Sequence, residues 1–180
     1  MGAVTASKAR FVVVSGPPGS GKSTLAPPIA AGLDLPLLAK DTIKDALMSV
    51  MAVPDVEASR QLGRAAVTVM LALAAESPCG AVLEGNFHRT VAVADLRRLP
   101  GTVVEVFCRC DPSVAARRYR ARAGSRHAGH FDSLRAAEDL WNEEVAEPVA
   151  GGWPLLEVAT GEAVDVDQII GFLRDLFSGR

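Results

Sequence analysis

An α/β fold, a parallel sheet covered by helices on both faces, follows from three observations. Short apolar runs of strand length alternate with segments of helical period along the 180 residues. The run Phe11-Val12-Val13-Val14 passes within one residue into GPPGSGKS at residues 16–23, the strand, glycine loop and helix order of a Walker A phosphate-binding turn. The composition, 49% hydrophobic and 22% charged, supplies one well-buried core, and the length argues against two full domains.

The elements follow in order. Arg10 to Ser15 reads as a buried strand and Gly21 to Ala31 as a helix, with a kink expected at Pro27 and Pro28 because each lacks an N–H donor and crowds the preceding turn. Pro36-Leu37-Leu38-Ala39 is a short second strand ending at Lys40 and Asp41, and Thr42 to Met51 a helix. Asp55 to Ala75 carries Ala, Leu and Val at helical spacing and predicts a long buried helix despite Gly63. Cys79 to Leu83 is the third strand, running out into Glu84-Gly85-Asn86-Phe87-His88, followed by a helix over 89–98 and a strand from Thr102 to Cys108. Asp111 caps a helix with Pro112 at its first position and Ser113 to Arg122 behind it. Gly124, Ser125 and Gly129 mark a movable connector. Phe131 to Val145 predicts a further helix that packs through Leu134, Leu140, Trp141 and Val145, then Trp153 to Val158 the last strand and Val166 to Phe177 the closing helix.

Charge and targeting signals narrow the classes of function. A formal net charge of -2 gives no general attraction to DNA or RNA, which leaves only a local basic patch for that purpose. No stretch reaches the roughly 18 apolar residues of a membrane span, and no apolar leader precedes the glycine loop. Cys79, Cys108 and Cys110 form no disulfide framework, so a cytoplasmic enzyme with reduced thiols is expected. His88, His127 and His130 do not form a metal-ligand set. A homodimer is compatible with the sequence.

The chemistry begins at the loop. Gly16, Gly19 and Gly21 let the backbone approach an anion, and Pro17, Pro18, Ser20 and Thr24 complete the turn around a nucleotide, ATP or GTP. Lys22 can reach the β- and γ-phosphates, and the Ser23 hydroxyl can ligate Mg²⁺. Lys40-Asp41-x-x-Lys44 lies just beyond the second strand, where residues at the carboxyl ends of adjacent strands converge on one crevice. Asp41 is the candidate that orients an acceptor hydroxyl and accepts its proton; the competing reading makes it a cap for a helix starting at Thr42. Lys44 divides between substrate contact and a solvated helix face. Glu84, at the end of the third strand, is a candidate for magnesium or substrate, with Asn86 beside it, although a Walker B site usually has Asp there. His88 and Arg89 are candidates for the acceptor pocket, with helix initiation as the alternative. RRYRARAGSRHAGH, residues 117–130, concentrates arginines into a candidate lid in which Arg118, Arg122 and Arg126 neutralise transferring oxygens on closure; a solvated face and an RNA patch are the alternatives.

With GPPGSGKST, AKDTIKDAL, VLEGNF and FCRCDP in place, the chain resembles small P-loop kinases of the AAA-like kinase group, related to polynucleotide kinase and zeta-toxin kinases. The resemblance covers most of the chain. It implies a P-loop NTPase-type five-stranded parallel sheet of order 2-3-1-4-5 with a small helical lid, and residues 1–180 as one kinase domain with 117–130 as the lid region. It implies ATP and Mg²⁺ as cofactors, Lys22 and Ser23 on phosphate and metal, Asp41 on the acceptor side, and Arg118, Arg122 and Arg126 at lid positions. Leu155 to Thr160 is placed near the adenine by the same analogy, which adds Arg118 and Thr160 to the nucleotide set. The expected reaction is transfer of the γ-phosphoryl group to a hydroxyl of a small polar metabolite such as a sugar, nucleoside or antibiotic. A polynucleotide 5′-hydroxyl kinase and a nucleotide-gated binding module without transferase activity are the alternatives.

Overall fold

The computed structural model describes residues 8–124, 126–134, 136 and 140–179. Five parallel strands, β1 (Ala9–Ser15), β2 (Leu37–Ala39), β3 (Gly80–Glu84), β4 (Gly101–Arg109) and β5 (Leu155–Ala159), form one sheet in the order β2-β3-β1-β4-β5. That is the expected order, with β1 in the centre. Alternation along β1 divides the core in two. Val12 and Val14 face α1 (Lys22–Leu33) and the closing helix, packing on Leu25, Ile29, Ile169 and Leu173. Phe11 and Val13 face α3 (Val56–Glu76) and α4 (Arg89–Leu96), packing on Met70, Ala74 and Leu96. Burial on both faces explains why these strands read as continuous apolar runs.

Register positions the site. Val14 pairs with Glu84 across β1 and β3, and Ala39 pairs with the same Glu84 across β2 and β3. The carboxyl ends of three adjacent strands therefore finish at one level, and the residues just beyond them share a crevice.

Several elements depart from the sequence reading. The first helix runs from Lys22 to Leu33 with Pro27 and Pro28, where a kink is expected, inside it. Proline at these positions frees the carbonyls of Ser23 and Thr24, and both residues are exposed, so water can satisfy them. The second helix, α2 (Lys40–Met48), starts two residues earlier than expected. Its N-cap is Ala39, which provides no side-chain cap, and Asp41 lies inside the first turn, so Asp41 is not the cap of this helix. Helix α5 (Pro112–Ala123) is built as expected, with the Asp111 carboxylate accepting from the N–H groups of Ser113 and Val114.

The predicted helix over Phe131 to Val145 does not start at Phe131: 3-10 turns stand at Ala128–His130 and Asp132–Leu134, Leu140 is helical, and a short helix α6 (Glu143–Ala146) follows; residues 135 and 137–139 of the predicted span lie outside the described set. Phe131 sits at φ 53°, a left-handed conformation that stops helical propagation from the preceding turn. Leu134, expected to pack, is exposed, whereas Leu140 and Val145 are buried. Ser125 of the predicted connector is also outside the described residues. The closing helix is α7 (Val166–Ser178). Among the described residues no helix is long and apolar enough to cross a membrane.

Candidate active site

The turn between β1 and α1 is shaped by glycine. Gly16, Gly19 and Gly21 have φ of 137°, 82° and 94°, a region that L side chains rarely adopt. At Gly19 a Cβ would also lie 2.1 Å from the Ala115 carbonyl oxygen, so α5 closes against the loop backbone there. Helix α1 begins at Gly21 with no side-chain cap and no acidic residue in its first turn. The Thr24 N–H donates to the Gly21 carbonyl at 3.0 Å, and no side chain caps the N–H groups ahead of it, which suits an anion at this helix end. The buried Ser20 Oγ has no hydrogen-bond partner, and Lys22 Nζ donates to the Pro17 carbonyl at 2.9 Å, folded into the turn it would leave for a phosphate. These features fit a nucleotide polyphosphate.

Thr160, expected to contact the nucleotide, directs its hydroxyl to the Ser20 carbonyl and packs against Gly21, bracing the loop from β5. Arg118 donates to the carbonyls of Thr160 at 2.9 Å and Gly161 at 3.4 Å. It therefore lies at the β5 side of the loop, although Arg122, four residues on, lines the cleft. The shared helix face places the two arginines at different ends of the site.

The cleft opens beside the loop and is lined by Pro18, Lys22 and Ser23 from the loop and α1, Lys40, Asp41 and Lys44 from α2, Glu84 to Asn86 at the end of β3, and Tyr119, Arg122, Arg126, His130, Asp132 and Leu140. His88 and Arg89 are not part of this lining. His88 precedes α4, Arg89 starts it, and both are exposed. Lys44 is buried and donates to Ser59 Oγ at 2.8 Å, which removes the solvated-face reading. Lys40, which opens α2, donates to Asn86 Oδ1 at 2.8 Å and so joins α2 to the β3 turn.

The titratable groups press on one another. Burial lowers the Lys22 ammonium from its ordinary value, against the opposing pull of Glu84 and Asp41. Burial also raises the Glu84 carboxyl, with Lys22 acting against the rise and Asp41 adding to it. At Asp41 burial likewise works upward, but the cations Lys40, Arg126 and Lys22 overcome it and hold the carboxyl below its usual range. Asp41 is therefore an ionised acceptor at neutral pH. Cys108, beneath the loop, is pushed up to about 12 by burial and stays a protonated thiol.

Arg126 provides a contact that the sequence alone did not specify. Its Nη2 donates to Asp41 Oδ2 at 2.7 Å, and its Nη1 lies 3.2 and 3.0 Å from the two oxygens of Asp132. His130 completes the cluster, with Nδ1 2.9 Å from Arg126 Nη2 and Nε2 2.6 Å from Asp45 Oδ1. A guanidinium can only donate, so Nδ1 accepts and the ring proton of a neutral His130 sits on Nε2, donating to Asp45. Burial and Arg126 lower the His130 pKa, which agrees with a neutral ring. The Lys40-Asp41-x-x-Lys44 motif places Lys40 at the crevice without a role of its own, and Tyr119, His130, Asp132 and Leu140 are lining residues that sequence reasoning did not assign to the site. The closely spaced polar run Arg126-x-x-x-His130-x-Asp132 was a usable signal, hidden by the expectation of a helix from Phe131.

Among the described residues no group of three or more His, Cys, Asp or Glu can hold a metal by itself. Ser23 and Glu84 line the same cleft, one hydroxyl and one carboxylate. This partial donor set suits Mg²⁺, which completes its octahedron with water and phosphate oxygens rather than with an all-protein cage.

A glycine-shaped phosphate turn on the central strand of a 2-3-1-4-5 parallel sheet defines a P-loop nucleotide-binding fold of the kinase type. Residues 11–143 match an AAA domain family, and the chain belongs to that family. Among solved structures it is similar to a "putative kinase" from Chloroflexus aurantiacus J-10-fl at 29% identity, with TM-score 0.82 and coverage of 93% of this chain and 98% of that one. It shares its fold with a shikimate kinase from Acinetobacter baumannii in complex with shikimate (19% identity, TM-score 0.61, 97% of this chain and 95% of that one). A gluconokinase from Sinorhizobium meliloti 1021 has the same fold (18% identity, TM-score 0.60, 97% and 95%). No curated protein matches the chain.

Proposed function

We propose that the chain is an ATP-dependent phosphotransferase acting on a hydroxyl of a small polar metabolite. The observation that carries this reading is the meeting of Lys22, Glu84 and Asp41 in one cleft at the ends of three adjacent strands. Residues 1–180 are taken as one kinase domain, with 117–130 as its lid region. When bound, ATP with Mg²⁺ supplies a transferable phosphoryl group whose charge the metal spreads and partly neutralises.

The residues of the chain do the rest. The loop amides, Lys22 and Thr24 would hold the polyphosphate, and Ser23 and Glu84 would hold the metal. Asp41 presents an ionised oxygen to the acceptor hydroxyl, fixes its direction and takes its proton as the new bond forms. Arg122, at the cleft, stabilises charge that develops on the phosphoryl oxygens, and Arg118 borders the base end. Lys44, Asn86 and Arg126 contact the acceptor. The lining is almost entirely polar, with Pro18, Tyr119 and Leu140 as its apolar contributors, and this suits a compact hydroxylated molecule better than an aromatic one. A shikimate kinase and a gluconokinase among the neighbours of this fold point to the same acceptor class.

The test is incubation with γ-labelled ATP and pooled hydroxylated metabolites, read as label transfer and a mass gain of about 80 daltons, one phosphoryl unit. An oligonucleotide with a free 5′-hydroxyl is included as a separate acceptor. Labelled product that requires Asp41 supports the reading. Tight nucleotide binding with no transfer to any pool identifies a gated binding module, and label on the oligonucleotide alone identifies a polynucleotide kinase.

A further inference from the structure

The Arg126 guanidinium is shared by two carboxylates in unequal surroundings. The Asp132 side chain is 7% exposed and receives Nη1 with both oxygens, at 3.2 and 3.0 Å. The Asp41 side chain is 47% exposed and receives a single bond from Nη2 at 2.7 Å. Separating the buried pair would strand a desolvated charge, whereas the exposed partner can exchange an arginine for water or a hydroxyl at little cost. Asp132 is itself braced. Tyr119 Oη donates to Asp132 Oδ1 at 2.6 Å, and the Tyr119 ring meets Trp141 edge to face at a centroid distance of 5.5 Å and 83°. Trp141 Nε1 then donates to the Pro18 carbonyl of the phosphate loop at 3.0 Å.

We propose that Asp132 is a positioning residue that fixes Arg126 at the cleft wall through Tyr119 and Trp141, in register with the phosphate loop, and leaves Asp41 as the exchangeable partner. Arg126 is then placed relative to the nucleotide turn rather than to α2, which carries Asp41. Asp41 can release the guanidinium to receive a hydroxyl without Arg126 leaving the site. The groups around this cluster are Lys40, Asp45 and Lys44 on α2, Lys22 on α1, Glu84 at the end of β3, and His130 on the turn that follows Arg126. His130, 5% exposed, also meets Arg126 through Nδ1 at 2.9 Å, but among the described residues of this cluster Asp132 is the buried carboxylate that takes Arg126 with both oxygens. The functional meaning of the arrangement rests on the phosphotransferase reading; the arrangement itself does not.

The experiment observes Arg126 directly, without nucleotide or acceptor, in the ¹⁵N-labelled full-length chain. A guanidinium held by fixed carboxylates gives resolved, slowly exchanging Nη–H signals, and those lost in Arg126→Lys belong to Arg126. In Asp41→Asn the signals should persist with exchange within about threefold of the parent, as for loss of an exposed ion pair. In Asp132→Asn they should collapse or exchange on the order of tenfold faster, as for loss of a buried one. Tyr119→Phe keeps the ring on Trp141, removes the bond to Asp132, and should give an intermediate acceleration of about fivefold. If Asp132→Asn does not fold, the ranking of Tyr119→Phe above Asp41→Asn decides the matter. Persistence of the signals in Asp132→Asn, or their loss in Asp41→Asn with Tyr119→Phe unchanged, overturns the proposal. Absence of phosphoryl transfer in the labelled-ATP experiment would overturn the reaction while leaving this spectroscopic ranking intact, so the two failures are distinguishable.

Discussion

Glu105 in the middle of β4 and Asp41 at the start of α2 are both carboxylates close to the central strand, and their surroundings are opposite. Glu105 is fully buried and accepts from the Ser15 hydroxyl at 2.6 Å, the Val149 and Ala150 amides at 2.9 Å each, and Trp153 Nε1 at 3.3 Å. Neutral donors satisfy both oxygens, and the carboxylate ties the 149–153 segment to the strand layer. Asp41 is half exposed and ringed by cations, one of which is shared with a second carboxylate. A sealed and saturated acid holds structure together. An acid kept ionised by neighbouring cations at the edge of a cleft, and itself half exposed, remains available to a ligand.

Substitutions can break or sharpen that contrast. The largest expected effect is on folding: Glu105→Ala leaves four donors without an acceptor inside the core and should lower stability by about 5 kcal/mol, measured by urea unfolding. Equal stability of Glu105→Ala and the parent would erase the contrast. Asp41→Asn should leave the thermal midpoint nearly unchanged while reducing phosphoryl transfer by about 10² to 10⁴ fold, the range for loss of a positioned general base. Lys22→Ala should weaken ATP binding by roughly 10- to 100-fold through loss of charge-assisted hydrogen bonds, a larger loss than in Asp41→Asn, as titration calorimetry would show.

The smallest effect concerns Glu84. Its folded pKa is raised above the ordinary 4.5, so the unfolded chain releases this proton first as pH rises. The resulting penalty is absent below the unfolded pKa and complete above the folded one. Glu84→Gln should therefore raise the thermal midpoint at pH 7 by a small amount, and the gain should vanish toward pH 4. Nucleotide affinity in the same variant should become less dependent on Mg²⁺.

The fold was legible because it rests on local rules. The apolar runs, the glycine turn and the Asp111-Pro112 cap each depend on a few neighbouring residues, and the resemblance supplied the strand order. The loop half of the site was legible for the same reason. The wall around Asp41 was less so. Arg126 and Asp41 are 85 residues apart, and Asp132 looked like one polar position of an amphipathic helix. Burial of that aspartate is decided by its arginine and tyrosine partners, and Phe131 adopts a left-handed conformation that pattern reading does not anticipate. Pro27 and Pro28 do not end the first helix, since the surface where they free two carbonyls is open to solvent.

The chain's two tryptophans fall on the two sides of the opening contrast. Trp153 is bonded to the sealed glutamate, while Trp141 is bonded to the nucleotide turn. With Trp153 replaced by phenylalanine, the ultraviolet emission of the remaining indole becomes a built-in optical gauge of loop occupancy. It could follow nucleotide arrival in a stopped-flow instrument without any attached dye.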